Sequence, residues 1–163
     1  MSRARLGRRA TRAGQVALLL ALAACTPATH PLVQLHALVA RVACTHADQV
    51  RGLRGDSAPP PGNTQLFVFD RQVRHGLTMA GLPYDLDIVW LTGRGAVTRV
   101  DANVSHVKIL GVSQVRTALA RYALELRAGD AAREGLRAGA AVRGLAGACV
   151  DKREKTRALT VVD

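Results

Sequence analysis

The chain has 163 residues with 23 Lys and Arg against 12 Asp and Glu, a formal charge of +11. That length supports one domain with short extensions. Aromatic residues make up 3% of it, which excludes the stacking platforms that single-stranded nucleic acid needs, so no nucleic-acid partner is expected.

Arg3, Arg5, Arg8, Arg9 and Arg12 open the chain without an acid, an apolar run from Val16 to Ala24 follows, and then Cys25. A basic segment, an apolar segment and small residues form a secretory signal. The apolar run is shorter than the roughly 20 residues of a membrane-spanning helix. Leu22-Ala23-Ala24-Cys25 resembles the lipobox of bacterial lipoproteins. The resemblance implies a lipid on the Cys25 thiol and loss of residues 1–24, leaving a domain exported and lipid-anchored to a cell-envelope membrane. Removing those residues leaves 18 basic and 12 acidic side chains, a charge of +6. Residues 25–35, with Pro27 and Pro31, read as a tether.

His36 to Thr45 alternates with period two and predicts a strand. Asp48 to Leu53 predicts one helical turn closed by Gly52 or Gly55. Ala58 to Asn63, with three consecutive prolines, is a loop. Leu66 to Phe69 and Leu86 to Leu91 read as buried strands, and Thr92-Gly93-Arg94-Gly95 turns the second into a strand from Ala96. Gln114 to Tyr122 is ambiguous, because Val115, Ala118, Leu119 and Tyr122 also fit a helical face. Tyr122 to Leu126 alternates, which points Glu125 away from one core face toward a surface or edge salt bridge. Asp130 is placed at the N-cap of a short helix ending at Gly135. Val142 to Val150 predicts a last strand, and residues 151–163 a charged tail. Short strands separated by turn signals predict a mainly β domain over residues 36–150, an antiparallel sandwich or jelly-roll-like fold with one or two short helices.

Met79, then Leu86, Asp87, Ile88 and Trp90, then Tyr122, Leu124, Glu125, Leu126, Ala128, Gly129, Gly135 and Gly139 form a pattern. With Gly52-Leu53 and Leu66 to Phe69 upstream, it resembles domain-of-unknown-function family 192 over roughly residues 38–143. The resemblance implies a compact β domain and no assigned activity. Thr78, Ala80, Gly81 and Asp85 stand where the family carries Trp, Lys, Asn and Pro, so any site built on those positions is altered here.

Asp87 lies in an apolar strand, where an unpaired carboxylate is expensive. Its two readings are a polar anchor in a pocket and a structural carboxylate accepting backbone N–H groups from the loop between Met79 and Tyr84. Asp85 shares its strand face by period two and would make a carboxylate pair. Met79 and His75 complete the ligand-binding candidates. Cys44 and Cys149 are an even pair once Cys25 is lipidated, and read either as a disulfide or as two buried thiols. No zinc spacing, P-loop or dinucleotide motif is present, so neither metal nor cofactor is expected, and no catalytic residue is assigned. The leading expectation is a monomeric binding or accessory module. A hydrolase-like enzyme using Asp87 with Asp85 or His75, and a structural envelope component, are the alternatives.

Overall fold

The computed structural model describes residues 36–57, 63–149 and 156–162. The signal, Cys25, the tether and the proline loop lie outside them, as do residues 150–155. The chain forms β1 (His36–Ala43), α1 (His46–Arg51), β2 (Asn63–Thr78), β3 (Leu86–Leu91) and β4 (Val97–Val104). It continues through β5 (Val115–Arg127), α2 (Asp130–Arg133), β6 (Ala141–Arg143) and β7 (Thr156–Val162). All seven strands join one sheet in the order β4-β3-β5-β2-β1-β7-β6. The domain is mainly β, a curled mixed sheet in which β1 and β2 run parallel and the other paired strands antiparallel. A parallel pair needs a crossover, and α1 lies in it.

α1 starts where Thr45 and Asp48 satisfy each other's backbone N–H groups, and it stops at Gly52, whose φ of 52° suits glycine. β5 lies between β3 and β2, and its stretch from Tyr122 to Leu126 is buried on both faces. Leu124 and Leu126 pack on one face with Leu38, Leu66, Val89, Leu91 and Leu159. Ala123 packs on the other with Phe67, Ile88 and Trp90, beneath Leu53, Met79 and Leu82.

The curl brings β4 and β6, at opposite ends of the strand order, together. The Val97 N–H donates to the Ala140 carbonyl at 2.8 Å and the Val142 N–H to the Gly95 carbonyl at 2.8 Å. Gly95 has φ of 83°, and a Cβ there would lie 2.2 Å from the Val142 carbonyl oxygen. Glycine is required at this seam because the backbones approach too closely for any side chain.

Residues 115–122, ambiguous in the sequence, are extended and belong to β5, since pairing with β2 overrides the helical spacing of their apolar residues. Three expectations need correction. Asp130 is inside α2, whose N-cap is Gly129 with φ of 87° and no side-chain cap bond. The strand expected from Val142 is only β6, three residues long, because Gly144 and Gly147 adopt positive φ and turn the chain. Thr156–Val162, expected in a charged tail, forms β7 and pairs with β1 from His36↔Val161 to Arg41↔Thr156. Its apolar Leu159 and Val161 are 1% and 2% exposed, so burial draws this segment into the sheet. Cys44 and Cys149 are joined in a disulfide with an S–S distance of 2.08 Å.

Candidate functional site

The four ligand-binding candidates do not converge. Asp87 is 1% exposed. One carboxylate oxygen accepts the Asn103 N–H at 2.8 Å and the other the Ala131 N–H at 2.9 Å. It therefore supplies the cap that α2 lacks and holds Asn103 at its φ of 51°. Its backbone donors come from β4 and α2, not from the loop between Met79 and Tyr84. Asp85 precedes β3 and accepts the His106 backbone N–H at 2.8 Å, with His106 Nδ1 at 2.6 Å from the same oxygen. Those two bonds hold the Asp85 carboxyl below its usual range. The two aspartates thus have separate partners, one sealed inside and one at the surface, and do not form a carboxylate pair. Met79 is 1% exposed and packs in the core with Leu77, Leu82 and Ile88.

Of the four, Met79, Asp85 and Asp87 do not line the cleft between α1 and β2, whereas His75 does. Its ring stacks on Phe69 with centroids 3.8 Å apart, and its Nε2 lies 2.9 Å from the Arg71 carbonyl oxygen. The cleft beside it has a volume of about 480 Å³ and lies between α1 with its following turn and the long β2. Phe67, Phe69, Leu77 and Leu82 give it an apolar wall, while Arg51, Arg54 and Arg71 bring three positive charges to its lining against the carboxylate of Asp70. Glu125 also lines it.

Glu125 is the residue the sequence reading missed. It is 4% exposed rather than at the surface, because both faces of β5 are buried from Tyr122 to Leu126. Among the described residues no hydrogen-bond donor reaches its carboxyl. Burial pushes its pKa up to about 8, against a smaller lowering by Arg54 and Arg41. In strand register it stands opposite Gln65 of β2, which stands opposite Arg41 of β1. Arg41 is engaged elsewhere: its guanidinium donates to Gln65 Oε1 at 2.7 Å, to Asp56 Oδ2 at 2.7 Å and to the Gly52 carbonyl at 3.2 Å. The charges of Asp56 and Glu125, added to burial as the largest cause, raise the pKa of the nearby Tyr84 phenol. One signal was available: Glu125 interrupts the apolar run from Tyr122 to Leu126.

A carboxyl that titrates near 8 mostly keeps its proton at neutral pH and can donate a hydrogen bond into the cleft. Arg54 is partly committed, donating to the Ala80 carbonyl at 3.0 Å and the Val50 carbonyl at 2.5 Å. Among the described residues no three His, Cys, Asp or Glu side chains gather as metal ligands would.

Fold and cleft together define a class: a small mainly β domain with a curled sheet, a cross-linking disulfide and a buried acid at a cleft. The chain belongs to domain-of-unknown-function family 192 (DUF192), described as an uncharacterized ACR, whose sequence model matches residues 29–144. Its fold is similar to that of a candidate transcription regulator from Sinorhizobium meliloti 1021, at 23% identity and a TM-score of 0.57, covering 64% of this chain and 79% of that one. It is also similar to a protein of unknown function from Novosphingobium aromaticivorans DSM 12444, at 22% identity and a TM-score of 0.54, covering 71% and 91% of the respective chains. At these identities the likeness concerns the fold alone. No curated protein matches the chain.

Proposed function

We propose that the protein is an exported, lipid-anchored binding module whose cleft takes a small amphipathic anion. The observation that carries the binding reading is Glu125, a carboxyl 4% exposed that lines the cleft and whose pKa burial raises to about 8. Its protonated form can donate a hydrogen bond to a ligand that accepts one. Arg51 and Arg71 favour a negative head, and Phe67, Phe69 and Leu77 an apolar body. The volume suits a small ligand. The hydrolase-like alternative loses support, since both Asp87 oxygens are occupied by backbone donors away from the cleft. Export and lipidation rest on residues 1–25, and the Cys44–Cys149 disulfide suits an oxidising compartment.

Decanoate is a direct probe, with decanol as its uncharged counterpart. Decanoate is expected to raise the melting temperature at pH 6.5 and to lose that effect above pH 9, where Glu125 ionises and repels it. Glu125→Gln keeps the binding and removes its pH dependence. A panel of amphipathic carboxylates and phosphates that produces no shift would sink the binding reading. For the anchor, Cys25→Ser is expected to abolish acyl labelling in a bacterial host, and persistence of that labelling defeats the claim.

A further inference from the structure

The connection between β4 and β5 carries a second feature, built from residues that do not line the cleft. Ile109 and Val112 bond to each other in both directions, at 3.0 and 2.9 Å, around Leu110 and Gly111. Both central residues have positive φ, 50° and 79°, the geometry of a two-residue type I′ hairpin, whose preferred sequence is Asn-Gly. Leu110 is unsuited to it, because a side chain without local hydrogen bonding gains nothing there and meets its own backbone. It also packs on nothing, being 98% exposed. Gly111 has open space around its missing Cβ, as expected of a projecting tip.

The apolar exposure is concentrated there. Of the nine large hydrophobic residues that are exposed among the described residues, Val107, Ile109, Leu110, Val112 and Val115 fall within nine positions, at 53–98% exposure. A residue that strains the backbone and presents an apolar surface to water works against folding twice, and such a local conflict points to a functional contact. The tip is narrow and convex, so a flat partner would touch few of these side chains, whereas a deformable apolar medium would cover them all. The charge around it selects the medium further. From residue 102 to residue 116 there is no acid, and the segment contains Lys108 and Arg116; the carboxylate of Asp85 is held by His106 at the base of the hairpin. Apolar side chains flanked by basic ones match the boundary between acyl chains and anionic headgroups.

We infer that the Val107–Val112 hairpin inserts its apolar tip into an anionic lipid bilayer, with Lys108 and Arg116 at the headgroups. This contact is separate from acylation at Cys25 and does not depend on it.

The test uses the full chain carrying Cys25→Ser and Val112→Cys, with the environment-sensitive fluorophore nitrobenzoxadiazole on residue 112. The readout is local, so membrane binding through another part of the chain does not imitate it. Vesicles of phosphatidylglycerol and phosphatidylethanolamine are expected to shift the emission to the blue and to permit quenching by spin labels on the acyl chains. Phosphatidylcholine vesicles give a smaller response. The same label at Arg94, in the turn at the other end of β4, is expected to stay in water. Adding Leu110→Asn raises the vesicle concentration for half-maximal shift about tenfold while the melting temperature holds or rises, because Asn suits a positive φ. A structural role for Leu110 predicts the opposite pair of results, a lower melting temperature with unchanged insertion. The inference is overturned by that pair, by a label that stays in water on vesicle-bound protein, or by self-association without lipid that Leu110→Asn abolishes, which would assign the tip to a second copy of the chain.

Discussion

At Asp87 and Glu125 the same chemistry, a carboxyl inside an apolar sheet, resolves in opposite ways. Asp87 accepts two backbone N–H groups, and an amide can replace only part of that, because its NH2 would face a donor. Asp87→Asn should therefore lose about 1–3 kcal/mol of stability, measured by urea denaturation, with decanoate binding unchanged. Glu125 lacks such donors, and burial raises its pKa to about 8 from an unfolded value of 4.5. Between those values the folded state holds a proton that the unfolded state has released, so stability falls as pH rises across the window. The slope is on the order of 1 kcal/mol per pH unit. Glu125→Gln should flatten this region and leave the variant more stable than the parent at pH 9, as denaturation midpoints across pH 5–9 will show. Asp87 was legible as important from sequence because it interrupts an apolar run. Glu125 interrupts one too, but alternation with Leu124 and Leu126 suggests a solvated face unless β5 is known to be central.

Among the elements, those with local signals were legible and those set by distant partners were not. β3 could be read to the residue because six apolar-rich positions end at a glycine turn, and α1 within two or three residues from its position before Gly52. The first half of β5 carries apolar residues at helical spacing, and only its pairing with β2 decides the matter. β7 follows a charged segment that masks a short alternating strand. The seam between β4 and β6 depends on Gly95 for a reason visible only in three dimensions. Gly95→Ala places a methyl against the Val142 carbonyl at a backbone angle that alanine avoids. It should cost at least about 2 kcal/mol, seen as a lower denaturation midpoint with an unchanged slope.

For the molecule as a whole, the disulfide links the end of β1 to the segment ahead of β7, across a sequence separation of 105. By loop entropy, Cys44→Ser with Cys149→Ser should reduce stability by roughly 4–5 kcal/mol, measured against the oxidised parent in guanidinium. A loss below about 1 kcal/mol would mean that the unfolded chain is already restrained. The mainly β class was legible from turn spacing and family resemblance, whereas the closed arrangement of one curled sheet was not, since no local residue records which strands meet at its edges.

β7 is the last strand made and yet it sits beside the first, between β1 and β6. β1 therefore cannot acquire this neighbour until translation has passed residues 156–162. Until then the sheet lacks one of its inner strands, however well the segments before it have paired. A cut ahead of residue 156 would remove an inner plank of the finished wall.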